Sequence, residues 1–176
     1  MNIPAAKMLV MTGEKFACVK IAGRANFASS IEFRALFDEL RQRGFGYIVL
    51  DLSECTLMDS TFLGVLAGLG LKIQAARKDP CDEAIELFNP NARITDLFEN
   101  LGVLHLFKIS QGNSVPAGAA NVDAPLPVAT PSKAEVTRAC LEAHQTLMEI
   151  NPANVPKFKE VAQFLAEDLK KLKTEG

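Results

Sequence analysis

The segment Tyr47-Ile48-Val49-Leu50-Asp51-Leu52 constrains this chain more than any other. Its apolar residues run on without alternating, so a strand made from them is apolar on both faces. Such a strand belongs inside a sheet, with other elements packed above and below. The flanking sequence supplies candidates. Ser29 stands as a helix N-cap with Glu32 three residues on, the spacing of a capping box, and Phe27 lies just upstream. Phe33, Leu36, Phe37 and Leu40 follow as an apolar stripe at helical period. Arg41 and Arg43 sit where the helix dipole favours cations, and Gly44 and Gly46 stop the helix.

Upstream, Met8–Met11 and Phe16–Ile21 read as two strands joined by the turn Thr12-Gly13-Glu14-Lys15, with Gly23 and Asn26 breaking the second. Downstream, Ser53-Glu54-Cys55-Thr56 is a connection. Met58-Asp59-Ser60 then opens a helix that runs to about Arg77, with Ser60 at the N-cap and Lys78-Asp79-Pro80 at its end. Ala84–Phe88 is a third central strand and Asn89-Pro90-Asn91 a turn. Ile94, Leu97, Phe98 and Leu101 mark a short helix closed by Gly102, and Leu104–Ile109 returns as an edge strand. This alternation predicts an α/β fold, a mixed sheet of about five strands with helices packed on it.

Residues 111–131 differ. They hold four prolines among small residues, with Asp123 the one charge, and read as an extended linker. Beyond them, Val136, Ala139, Cys140, Ala143 and Leu147 share one helical face. After the break Asn151-Pro152-Ala153-Asn154, Phe158, Val161, Leu165, Leu169 and Leu172 form a packing seam. The expected division is a sheet domain over 1–110, a linker over 111–131 and a C-terminal helical hairpin over 132–176. The hairpin could cap its own domain, form a homodimer or hold a partner.

Composition narrows the function. A formal charge of −2 gives no electrostatic case for nucleic acid. No apolar run approaches the ~20 residues of a membrane span. Met1–Lys7 has no signal-peptide pattern, so the expectation is a cytoplasmic protein with no direct membrane insertion. Cys18, Cys55, Cys81 and Cys140 are too scattered for a zinc knuckle or redox pair and read as free thiols. There is no glycine-rich nucleotide loop. His105 and His144 are the only imidazoles, and neither lies in a catalytic pattern. Asp51, Glu54 and Asp59 lie near the end of the central strand, where ligands bind in α/β sheets, but nothing nearby completes a phosphoryl-transfer set. The expectation is no enzyme, no cofactor and no metal.

What the Met58–Leu66 stretch can do is accept a phosphate. A phosphate on Ser60 puts up to about two negative charges at a helix N-terminus, where the dipole favours them, beside Asp59. A partner docking there then meets like charge.

The residues Leu50-Asp51-Leu52-Ser53 followed by Met58-Asp59-Ser60-Thr61-Phe62-Leu63-Gly64 resemble the signature of the STAS domain of bacterial anti-sigma factor antagonists. The resemblance runs from about Met8 to Ser110 and includes the order of elements. It implies a STAS-like fold. It also implies that Ser60, with Thr61 as the alternative, is phosphorylated by a partner that is both an anti-sigma factor and a serine kinase of the GHKL type. The unphosphorylated form binds that partner and frees the sigma factor, and a PP2C-like phosphatase resets it. Carried over, the docking surface comprises Asp59, Ser60, Thr61 and Phe62 with Asn26 and Cys55, on the loops Gly23–Ser29 and Ser53–Met58. Phe62 departs from the pattern, since the family usually has Gly there. Its ring is expected to reshape the docking surface or shield the hydroxyl. The alternative carried by the same family is a non-phosphorylated STAS adaptor subunit of a membrane-associated transport or sensory complex. An enzyme or small-ligand sensor would need an enclosed polar cavity near Asp51 and Asp59.

Overall fold

The computed structural model describes residues 6–79, 81–113, 121–123 and 130–175. The central strand is β3 (Tyr47–Asp51), flanked in parallel by β2 (Phe16–Ala25) and β5 (Ala84–Phe88). β1 (Lys7–Thr12) pairs antiparallel with β2, so the opening hairpin forms as expected. β6 (Lys108–Ser110) adds in parallel to β5 at one edge. At the other edge β7 (Asn121–Asp123) pairs antiparallel with β1, a strand inside the stretch expected to be all linker. The remainder of that linker, 114–120 and 124–129, lies outside the described residues, as does Pro80.

β2 is longer than its sequence suggested. It runs through Gly23, where φ is +96° and the register shifts, and then pairs with β4 (Cys55–Met58) instead of β3. Glycine tolerates that left-handed conformation, so the expected break is a bulge at which the strand changes partner. β4 itself falls on residues read as a connection. Only four residues long, it lacks the apolar run that marks β3. At the other end of the chain's sheet, Leu104–Leu106 forms a 3-10 turn, which leaves only Lys108–Ser110 as edge strand.

The pleat sorts the core. Ala17, Val19 and Ile21 of β2, Ile48 and Leu50 of β3, and Ile85 and Leu87 of β5 face one side. There they meet Phe33, Leu36, Phe37 and Leu40 of α1 (Phe27–Gln42), Phe62, Leu63 and Leu66 of α2 (Ser60–Ala76), and Ile94 and Phe98 of α3 (Ala92–Asn100). Cys18, Val49 and Phe88 form a smaller cluster on the opposite face, with Met11, Phe16 and Tyr47 packed against it. Val49 is fully buried on that face too, but among side chains of the neighbouring strands, with no helical residue in the cluster.

Phe62 belongs to the main core. It is fully buried and its ring lies 5.1 Å from that of Phe33. The expectation that Phe62 shapes a docking surface or shields Ser60 is corrected: at the third position of α2 the side chain turns down onto the sheet.

The tail forms α4 (Lys133–Ile150), a 3-10 turn (Pro152–Asn154) and α5 (Val155–Thr174). α4 lies directly on α2. The reason is in α2's composition, STFLGVLAGLGLKIQAA, which is apolar around most of its circumference. A helix of that kind needs cover on more than one side. The sheet covers one side of α2 and α4 another. α5 packs on α4, with Phe158, Leu165, Leu169 and Leu172 half-buried and Val161 and Phe164 left exposed. The turn between them is fastened by Asn154, whose buried amide donates to the carbonyls of Leu101 and Leu147 at 2.9 and 2.8 Å.

Removing the Phe62 ring should cost the fold heavily. Phe62→Ala is expected to lose about 3–5 kcal/mol in chemical denaturation. A loss below about 1 kcal/mol would place the ring outside the core.

Candidate functional site

β2 and β4 end side by side, and each runs straight into a helix. The amide of Asp59 donates to the carbonyl of Ala25, which holds the two strand ends together. The N-caps of α1 and α2 are consequently neighbours. Asp59, not Ser60, is the N-cap of α2: its Oδ1 accepts from the amide of Phe62 at 2.8 Å. Its Oδ2 accepts from the amide of Phe27, the first residue of α1, also at 2.8 Å. One carboxylate thus serves two helix N-termini. Asn26, not Ser29, caps α1, in a capping box that has Ser29 at its third position. Each cap falls on an Asx side chain upstream of the expected serine, three residues before Ser29 and one before Ser60, and the serine enters the helix.

Burial pushes the Asp59 carboxyl above its usual value of 3.8, while the amides of Phe62, Phe27 and Thr61 pull it back. The charged form is therefore costly here even when well bonded.

Ser60 is the first residue of α2 and half-buried. Its hydroxyl is partly covered. Its Oγ lies 3.0 Å from Nε2 of His144, on α4. His144 Nδ1 lies 2.7 Å from the carbonyl oxygen of Cys140, one turn earlier. A carbonyl can only accept, so Nδ1 carries the proton, and in the neutral ring Nε2 accepts from Ser60. His144 is itself buried and its ring packs on Phe158 of α5, 5.0 Å between centroids. Beside it, Thr61 is buried and hydrogen-bonds the Cys140 thiol. Burial raises that thiol's pKa, and the Thr61 bond opposes the rise.

Four of the predicted residues, Asn26, Asp59, Ser60 and Thr61, come together where the two caps meet. Cys55 and Phe62 are buried and do not present their side chains. Burial also pushes the Cys55 thiol up and holds Cys18 at about 12, which leaves both unreactive. The residue the sequence did not single out for this site is His144. It lies 84 positions from Ser60, and the one available signal was a polar ring on a mostly apolar helical face.

The carboxylates Asp51, Glu54 and Asp59 have separate partners: Asp51 accepts from the amide and hydroxyl of Ser53, and Glu54 pairs with Lys20 at 3.2 Å. Among the described residues no group of three or more His, Cys, Asp or Glu comes together to hold a metal ion. A cavity of about 890 Å³ lies by Phe16, Tyr47, Glu86 and Lys108, and none of the predicted site residues lines it. Among the described residues no helix is long and apolar enough to cross a membrane.

Residues 8–113 match the family model of the STAS domain, more than half of the chain, and the protein belongs to that family. It is 29% identical over 104 residues to a protein of Staphylococcus aureus named anti-sigma-B factor antagonist, an alignment that covers 59% of this chain and 92% of that one. Two solved structures share the fold. An anti-sigma factor antagonist from Mycobacterium paratuberculosis gives a TM-score of 0.51 at 14% identity, covering 62% of this chain and 89% of that one. The protein TM1081 gives 0.51 at 19%, covering 63% and 86%. These alignments span about the length of the sheet domain.

The raised pKa of Asp59 is measurable. A carboxyl that binds its proton more tightly when folded makes the fold less stable as pH rises from about 3.8 through its folded value. NMR titration of the Asp59 side-chain carbon should give a midpoint above 3.8. A midpoint below it would mean that the three amides outweigh burial.

Proposed function

We propose that this protein is a regulatory binding module, an anti-sigma factor antagonist switched by phosphorylation of Ser60. The partner is an anti-sigma factor that is also a serine kinase of the GHKL type, and a PP2C-like phosphatase removes the phosphate. The observation that carries this reading is the position of Ser60, the first residue of α2 beside the Asp59 double cap, within the STAS segment. The Staphylococcus aureus relative's name, and an alignment spanning nearly all of its length, support the antagonist role.

The chemistry of the switch follows from the site. The first-turn amide of Phe62 is already taken by Asp59. A phosphate on Ser60 therefore adds its charge beside a carboxylate instead of replacing it. The helix dipole makes the position tolerable to the fold. A docking partner faces two adjacent anionic groups and must desolvate both, so phosphorylation opposes docking more than it disturbs the domain. The protein in this reading needs no catalytic group of its own.

Phosphopeptide mass spectrometry of the protein isolated from its own cells tests this directly. The expected result is a single phosphate on Ser60, absent in Ser60→Ala. Ser60→Asp should at the same time lose an ATP-binding kinase-like partner that wild type retains. A phosphate found only elsewhere, or a partner held equally by wild type and Ser60→Asp, would reject the switch.

A further inference from the structure

The helical extension sits on the part of the domain that the switch reading requires to be free. His144 of α4 accepts the Ser60 hydroxyl at 3.0 Å, and Thr61 faces Cys140. One turn further along α2, a Cβ added to Gly64 would stand 2.5 Å from the Ala143 carbonyl oxygen, so the two helices meet there backbone to backbone. Arg34 of α1 pairs with Glu142 at 3.5 Å. α4 therefore spans the two helices whose N-termini Asp59 joins.

The attachment is uneven along the hairpin. Its turn is fixed by the buried Asn154 amide and by Lys157, whose Nζ donates to the carbonyl of Asn100 at 3.1 Å. Leu147 is fully buried in the main core at the same end. Toward the start of α4 the contacts are small or polar. Ala139 and Cys140 are half-buried, and the Arg34–Glu142 pair is an exposed one of the kind that contributes little. Two cavities run along this part of the seam. One of about 110 Å³ is lined by Gly64, Gly68, Ala139 and Ala143, and one of about 190 Å³ by Ile31, Val65, Arg138 and Ala139. The hairpin is anchored at its turn and by the buried Leu147, His144 and Ala143, with Ala139 and Cys140 only half-buried beyond them.

We infer that α4 is a built-in lid on the Ser60 face. It opens without unfolding the domain, and a docking partner or kinase reaches Ser60 only in the open state. The Ser60–His144 bond is its latch. This rests on the switch reading above for what the lid controls, but not for whether the lid opens. The lid lowers the apparent affinity of any partner by the fraction of time it is open. It also makes Ser60 a poor substrate until α4 lifts.

Amide hydrogen exchange of the full chain decides it. The probes are peptides from residues 133–142 and from β3, in wild type, in Ala143→Arg and in a reversible lock. Ala143→Arg wedges the seam at Gly64. The lock is Gly68→Cys with Thr146→Cys in a Cys81→Ser background, because a Cβ at Gly68 would touch the Thr146 side chain across the seam, 3.8 Å from Cγ2. In wild type, residues 133–142 should exchange at least about tenfold faster than β3. Oxidising the lock should slow them toward the β3 rate, and reductant should restore the difference. Ala143→Arg should speed them further with β3 unchanged, and should raise the fraction of Ser60 carrying phosphate in cells. Exchange of 133–142 at the β3 rate in wild type, with no response to the lock, would overturn the lid and make α4 a permanent part of the core. A lid that opens while Ala143→Arg leaves a measurable Ser60 phosphate fraction unchanged would overturn its control of access. An absence of phosphate on Ser60 in every variant would reject the switch reading, and the exchange ratio alone would then decide the lid.

Discussion

One carboxylate holds together the end of this domain that carries Ser60. Asp59 accepts from the first-turn amides of both α1 and α2, while its own amide completes the pairing of the strands that lead into them. Its geometry fixes how the two helices leave the sheet, and so fixes where Ser60 points. Burial makes the charged form expensive, and the amides offset that cost only in part. A group under such opposing demands is not freely replaceable. Alanine would leave α2 without its N-cap and the amide of Phe27 without its acceptor, and asparagine would set an amide donor against one of the two N–H groups.

Most of the sheet domain was legible from pattern alone. The apolar run of β3, the stripe Phe33–Leu40 and the short apolar block Ala84–Phe88 carry enough periodicity or length to declare themselves. The misses share a cause. β4 is a four-residue strand with no alternation of its own, and it pairs with the end of β2 beyond Gly23, where Thr56 is the extra residue at the register shift. The caps shifted from Ser29 and Ser60 to Asn26 and Asp59 because cap choice depends on which side chain reaches an exposed amide, which spacing alone does not tell. The 3-10 turn at Leu104–Leu106 reflects how Leu106 and Phe107 reach the core, a tertiary demand that short apolar runs do not reveal.

The candidate site was half legible. Asp59, Ser60 and Thr61 follow from the STAS segment, and Asn26 from the break after β2. Phe62 was read as a surface residue because a family comparison marks what differs, not which way it points. Burial shows it as a core ring beside Phe33. The larger surprise is that the hydroxyl is shielded from across the chain. An apolar circumference on α2 requires cover, and α4 supplies it with alanine at the closest approach and histidine over Ser60. The extension is thereby tied to the chemistry of the domain, not merely appended to it.

The Ser60 hydroxyl donates to Nε2 of His144 across the contact between α2 and α4. Long-range proton–nitrogen NMR of the His144 ring, recorded where the ring is neutral, tests it most directly. The expected result is a proton on Nδ1 and a bare Nε2 whose resonance moves in Ser60→Ala while Nδ1 stays in place. A proton on Nε2, or a ring spectrum indifferent to the loss of the Ser60 hydroxyl, would contradict the account.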